Sequence, residues 1–215
     1  MLVEQIMNNK PYTLEAHHTI RDAMRLMREK KIRHIPIVTP NREVIGVVTQ
    51  RDLKEAMPSS LESAERDRLF DVTVDQFMIK SPIMAHPLDT VEDLALIFYD
   101  AKVGCLPIIS NNELVGIVTT TDMLYTYVEL TGAHKPGSKL EIRVEDTPGV
   151  LAHITKIMAD HKTNVQSVLV YPDDKSTTHR VLSIRIQTVN PIELIEDLIK
   201  HGFDVLGPAF PGVEF

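Results

Sequence analysis

The chain has 215 residues, 43% of them hydrophobic and 25% charged, the balance of a folded, water-facing protein with room for more than one core. Its net charge of −7 argues against a general nucleic-acid binder, which needs a clustered excess of Lys and Arg. The sequence has no apolar run long enough to cross a bilayer and no basic-then-apolar signal pattern at its start. Cys105, the single cysteine, excludes an intrachain disulfide and fits a reducing compartment, so a cytoplasmic location away from membranes is expected.

The first segment, Val3-Glu4-Gln5-Ile6-Met7, reads as a leading strand. Thr19 then stands where an N-cap would, before an apolar stripe of Ile20, Ala23, Met24 and Met27 at helical spacing. Residues 35–38 and 44–49 are β-branched runs separated by an Asn- and Pro-containing turn, and a further helix follows at Asp52. After an intervening stretch, in which Pro58-Ser59-Ser60 marks a break and 61–70 reads as an exposed helix or loop, the same series returns. Val74-Asp75-Gln76-Phe77-Met78 repeats the first segment, Thr90 precedes the stripe of Val91, Leu94, Ala95 and Phe98, and Leu106-Pro107-Ile108-Ile109 repeats Ile35-Pro36-Ile37-Val38. Each lies 71 residues after its counterpart. Gly46-Val47-Val48-Thr49-Gln50-Arg51-Asp52 returns 70 residues later as Gly116-Ile117-Val118-Thr119-Thr120-Thr121-Asp122, so one residue is lost in the turn between. Ordered matches at a nearly constant offset mean two copies of one strand–helix–strand–strand–helix unit, with binding sites expected at their seam.

Gly132 ends the last helix of the second copy, and the Gly-, Pro- and Ser-containing stretch 132–138 reads as a linker. Beyond it Leu140, Ile142 and Val144 alternate as a strand. Asp146-Thr147-Pro148-Gly149-Val150-Leu151 turns into a helix expected to bury Leu151, Ile154, Ile157 and Met158. Strands at 165–171 and 181–188 flank a polar loop at 172–178, Pro191 opens a helix stopped by Gly202, and 203–206 is a last strand. The order βαββαβ folds most simply as a ferredoxin-like sandwich. The expected α/β (α+β) organisation is a first unit at 1–56, a linker at 57–73, a second unit at 74–131, a linker at 132–138 and a third domain at 139–215.

The two copies resemble CBS domains, through the hydrophobic-Pro strands at Pro36 and Pro107 and the two Gly-x-x-Thr-x-x-Asp stretches ending at Asp52 and Asp122. Residues 138–210 resemble an ACT domain through Asp146-Thr147-Pro148-Gly149-Val150-Leu151 and the element order. The combination in so short a chain resembles the acetoin-utilisation B proteins of Bacillus-type bacteria. These resemblances imply two βαββα units packed as a pseudo-twofold pair with adenosyl-ligand sites in the clefts between them. They also imply a regulatory role in acetoin or acetate carbon metabolism and a homodimer that acts on an unidentified partner protein. No cofactor is required on this reading, and an adenine nucleotide (AMP, ADP, ATP or a related adenosyl compound) is the regulatory ligand.

The chemistry of the residues agrees with those sites. Asp52 and Asp122 can each accept two hydrogen bonds from a ribose diol. Thr49 and Thr119 stand at helix N-termini, where free N–H groups favour phosphate. Ile35, Pro36, Cys105, Leu106 and Pro107 are expected to supply apolar walls and backbone groups for adenine. The competing reading of Thr-x-x-Asp is a capping box, with Thr at the N-cap and the acid three residues on, a role that leaves the carboxylate less free for ribose. Arg33, His34 and Arg51 have no basic counterparts in the second copy (Gly104, Cys105 and Thr121), so two unequal sites are expected, the more basic preferring a phosphorylated ligand. In the ACT-like part, Thr147, Pro148, Gly149, Val150 and Asn164 are the candidate site for an amino acid or small carboxylate, with Gly149 admitting close backbone approach at a helix start. Two other classes are kept beside the regulatory one. One is an enzyme transferring an acyl or phosphoryl group on the bound ligand, which turnover lost in Asp52→Ala would reveal; the other is an adaptor with vestigial pockets, which no nucleotide would stabilise against heat. The scattered histidines offer no metal-ligand spacing, and no nucleophile–base pair stands out, so neither a catalytic residue nor a metal is expected.

Overall fold

Both copies start their first long helix on a threonine whose side chain caps it, in the computed structural model, which describes residues 1–56 and 68–207. The first copy runs α1 (Ile20–Lys30), β1 (His34–Val38), β2 (Val44–Thr49) and α2 (Gln50–Ala56). The second runs β3 (Ile79–Lys80), α3 (Val91–Ala101), β4 (Cys105–Ser110), β5 (Glu113–Thr119) and α4 (Thr120–Thr131). The remainder runs β6 (Ser138–Glu145), α5 (Val150–Asp160), β7 (Val165–Asp173), β8 (Ser176–Ile186), α6 (Ile192–Lys200) and β9 (Asp204–Gly207). The expected break at 58–60 and the segment 61–67 lie outside the described residues.

The apolar stripes are narrower than their spacing predicts. Ile20, Ala23 and Met27 of α1 are buried, as are Val91, Leu94 and Phe98 of α3, while Met24 and Ala95, the i+4 positions, both face outward. Each helix packs on the hairpin of its own copy, β1 on β2 and β4 on β5, both antiparallel. The residue lost between copies is lost in the hairpin turn. Asn111 and Asn112 form the whole connection in the second copy, both at positive φ (49° and 68°), the conformation of a tight two-residue hairpin. The first copy uses the longer stretch 39–43, with only Arg42 at positive φ.

The leading segments differ from the expected strands. Val3–Gln5 and Val74–Gln76 are 3-10 turns, with an isolated bridge before each, Leu2 to Thr90 and Thr73 to Thr19. They are also exchanged between copies. Val3 is buried in the second copy's core with Leu94, Leu106, Ile108 and Val118, whereas Val74 is buried in the first copy's core with Ile20, Ile35, Ile37 and Val48. β3 extends the first copy's hairpin by pairing with β2, and Asn8 bridges Ile117 of β5 in the second. The backbone bonds are reciprocal: Val3 N–H donates to Asp89 O at 3.0 Å, and its counterpart Val74 N–H donates to His18 O at 2.8 Å. Each exchanged arm lays a methionine over a glycine of the opposite hairpin. A Cβ on Gly116 would stand 2.5 Å from Met7 Sδ, and one on Gly46 would meet Met78 Sδ.

The chain divides into two compact units, Met1–Leu124 and Tyr125–Phe215, the division falling inside α4. The end of α4 belongs to the second unit because Ser167 Oγ donates to Thr131 O at 2.9 Å and Gly132 lies against Arg185. In that unit an antiparallel sheet of order β7-β8-β6-β9 carries α5 and α6, the predicted ferredoxin-like arrangement. Leu140, Ile142 and Val144 alternate into its core against Ile154, Ile157 and Met158 of α5 and Leu194, Ile195 and Leu198 of α6. Leu151, expected inside, is 40% exposed. The expected polar loop at 172–178 is mostly strand: Asp173 pairs with Ser176, leaving a two-residue turn at Asp174 and Lys175.

Candidate functional site

The two Thr-x-x-Asp stretches carry β2 into α2 and β5 into α4, and both are capping boxes. Thr49 donates its N–H and its hydroxyl to Asp52 Oδ2 at 3.2 and 2.8 Å, while Asp52 N–H donates to Thr49 Oγ1 at 3.3 Å. Thr119 and Asp122 repeat this at 2.7, 2.7 and 3.3 Å. Thr19 with Asp22, and Thr90 with Asp93, make the same box at α1 and α3. In the Asp52 box the cap uses one carboxylate oxygen, Oδ2. Capping and ligand recognition are therefore compatible at the same side chain.

Two clefts open at the seam between copies. The larger, about 940 Å³, holds Thr49, Arg51 and Asp52 from the first copy against Ile79, Gly104 and Cys105 from the second. The smaller, about 250 Å³, holds Thr119, Thr121 and Asp122 from the second copy against Asn8, Tyr12 and Lys31 from the first. Arg33 and His34 line both. Shifting the residues of the smaller cleft by the repeat offset gives residues of the larger one throughout, so the sequence repeat is also a repeat of sites.

This geometry redistributes the predicted residues. Thr49, Arg51, Asp52 and Cys105 meet in the larger cleft, and Thr119 and Asp122 in the smaller. Ile35, Pro36, Leu106 and Pro107, expected as adenine walls, are not among the residues lining either cleft. Ile35 and Leu106 are fully buried in the two cores, and the carbonyls of Pro36 and Pro107 are taken by the N–H groups of Leu14 and Ala85. The basic trio is also divided. Arg51 lines only the larger cleft, while Arg33 extends to Thr121 Oγ1 of the smaller at 3.5 Å. Ile79, Ile83 and Tyr12 are lining residues that sequence reasoning missed, because the exchange of leading segments carries each of them to the opposite copy.

Burial governs two titratable groups at the seam, Cys105 and His34. The Cys105 thiol is pushed up to about 12, first by burial and then by the negative charge of Asp52. The His34 imidazole is held below its ordinary value, chiefly by burial and by the neighbouring Arg33 guanidinium, with Asp52 and Asp122 opposing and Arg51 adding to the depression. Both groups are therefore neutral at pH 7.

In the second unit Thr147, Pro148, Gly149 and Val150 form the passage from β6 into α5. Gly149 is at φ 93°, and a Cβ there would meet nothing within 4 Å. Glycine is therefore required by the backbone conformation, and the space beside it is open within the chain. Asn164 lies at the other end of α5, whose 11 residues span roughly 16 Å, so within one chain it does not converge with Gly149. Its side chain donates to Gln187 Oε1 at 3.5 Å. Among the described residues no group of three or more His, Cys, Asp or Glu is placed to hold a metal ion, and no helix is long and apolar enough to cross a membrane.

Comparison with known proteins matches the CBS domain over residues 3–59 and 74–129 and the ACT domain over 138–200. A Vibrio cholerae protein assigned to acetoin utilization (AcuB) is a structural neighbour with 32% identity and a TM-score of 0.55, covering 63% of this chain and 96% of its own. The CBS domain pair of protein MJ0100, crystallised with 5′-methylthioadenosine and S-adenosyl-L-methionine, shares the fold at 24% identity and TM-score 0.53, covering 63% and 98%. CBSX2 in complex with AMP does so at 20% identity and TM-score 0.53, covering 60% and 97%. By sequence, a homoserine O-acetyltransferase of Methanococcus vannielii is 29% identical over 126 residues, 58% of this chain. The chain spans only 24%, 41% and 22% of the length of the first curated relatives it matches.

Proposed function

The chain belongs to the CBS-domain family, as a tandem pair followed by an ACT domain, and on that premise we propose that it is a non-enzymatic regulator that binds an adenine nucleotide or related adenosyl ligand at Asp52. The observation that carries this reading is the larger cleft. Its volume of about 940 Å³ suits a nucleotide, and its lining holds a chemistry for each part of one. Val47, Ile79 and Ile83 offer apolar surface for a base, the Asp52 oxygen outside the cap offers an acceptor for a ribose diol, and Arg51 and Lys54 offer cations for phosphate. The adenosyl compounds bound by the two ligand-containing CBS pairs supply the ligand class.

The non-enzymatic part of the reading rests on Cys105, whose buried thiol stays protonated at neutral pH and is a poor nucleophile. A ligand in the cleft touches both copies and so biases their packing by its differential affinity for the two arrangements, which a partner protein reads. Likeness to the acetoin utilization protein supports a setting in acetoin or acetate carbon metabolism. The ACT unit is proposed to contribute to homodimerisation and to take an amino acid or small carboxylate at the Gly149 turn.

Calorimetric titration with AMP, ADP, ATP, NADH and S-adenosylmethionine tests the ligand assignment. Saturable binding of at least one, weakened in Asp52→Ala, is expected. Binding indifferent to Asp52→Ala removes the cleft from the reading, and no binding at all removes the reading itself.

A further inference from the structure

The two clefts are built from paired positions, yet one has nearly four times the volume of the other, about 940 against about 250 Å³. The larger cleft gains lining from Gln50, Lys54, Glu55, Ser81 and Thr120, whose equivalents do not line the smaller, and side-chain size adds to the difference. The smaller cleft carries the larger residue at two pairs: Tyr12 where the larger has Ile83, and Arg33 where it has Gly104. His34 against Cys105 follows the same direction. Thr121 against Arg51 runs the other way, but Arg33 reaches across to within 3.5 Å of Thr121 Oγ1 and takes the space that threonine leaves. At the paired position of the larger cleft a Cβ on Gly104 would stand 2.5 Å from His34 Nε2, so a side chain there requires the imidazole beside Arg33 to shift.

An adenosyl ligand needs a pocket of at least about 300 Å³, which the larger cleft exceeds and the smaller does not reach. We propose that each chain holds one adenosyl ligand rather than two, in the cleft at Asp52, and that Arg33 is the residue that closes the second cleft at Asp122. This deepens the nucleotide-binding reading and rests on it. The duplication supplies two sites, and one exchanged pair, arginine for glycine, removes one of them from use. Arg33 also lines the larger cleft, but it is exposed and at an ordinary backbone angle, and its replacement leaves the ligand groups proposed there (Asp52, Arg51 and Lys54), both cores and both capping boxes in place.

The test is equilibrium dialysis of the full chain at saturating AMP, with S-adenosylmethionine in parallel, on the wild type, Arg33→Gly and Arg33→Ala. The expected ratio is one ligand per chain for the wild type, rising to two in Arg33→Gly, which copies the larger cleft, and in Arg33→Ala. A wild-type ratio of two overturns the proposal while leaving the nucleotide reading standing. A ratio that stays at one in both variants overturns the role of Arg33. Failure of both probes to bind the wild type overturns the nucleotide reading and the proposal together.

Discussion

Asp52 holds a helix cap with one carboxylate oxygen and is proposed to hold a ribose with the other, and the chain contains its own controls for separating these roles. Asp52→Ala removes the N–H and hydroxyl bonds from Thr49 at 3.2 and 2.8 Å. Asp22→Ala removes the matching bonds from Thr19 at 3.1 and 2.9 Å, and Asp93→Ala those from Thr90 at 3.4 and 2.6 Å. Loss of such a cap costs about 1 kcal/mol, which lowers the melting temperature of a chain this size by roughly 2–4 °C. All three variants are expected to lose a similar amount. Only Asp52→Ala also removes a charged acceptor from the larger cleft, where hydrogen bonds to an ionised group contribute about 1.5–3 kcal/mol, a weakening of roughly 10- to 150-fold. Thermal melts give the first quantity and calorimetric titration with the best-binding nucleotide the second. Equal weakening of binding by Asp22→Ala and Asp93→Ala would show that Asp52 acts through helix stability alone and would refute the ribose assignment.

Three further outcomes are expected. Gly116→Ala forces a Cβ to 2.5 Å from Met7 Sδ and 3.2 Å from the Asn8 carbonyl oxygen, overpacking that costs about 1–3 kcal/mol; denaturant titration of Gly116→Ala, Met7→Ala and the double variant should show part of that loss recovered in the double. Cys105, only 7% exposed and with its thiol pushed up to about 12, should resist alkylation by iodoacetamide at neutral pH until the chain is unfolded, and rapid labelling of the native protein would contradict its burial. The Thr19 backbone N–H, then the Thr19 hydroxyl, hold the Asp22 carboxyl below its ordinary value of 3.8, with Arg25 and His18 adding and burial opposing. Its contribution is therefore fully present above that value and lost as pH falls through the lower folded one, so melts between about pH 5 and about pH 2 should show a smaller acid loss in Asp22→Asn than in the wild type.

The elements were legible because their signals are local. Thr19 and Thr90 cap the helices that the stripes behind them describe, and Pro191 and Gly202 bound α6 as their chemistry requires. What the sequence concealed is non-local. The repeat shows that Val3 and Val74 occupy equivalent places, but periodicity carries no information on which core an equivalent residue enters, and here each enters the other copy's. The same blindness misassigned the walls of the clefts. Ile35 and Leu106 look like site residues because they adjoin the motif, whereas strand alternation turns them into the cores. The Thr-x-x-Asp spacing was ambiguous between cap and ligand contact for a physical reason, since a carboxylate has two oxygens and the cap at Asp52 uses one.

The exchanged arms have a consequence for how the repeat folds. Residues 1–56 alone lack Val74 and β3, and so lack one wall of their core and the strand that covers the edge of β2. The second copy alone lacks Val3, Met7 and the Asn8 bridge in the same way. Neither half holds its native core without the other, so the pair is expected to melt in a single cooperative transition despite its internal duplication. Because the exchange is reciprocal, two separate molecules of one copy carry every part needed to complete each other by trading the same arms.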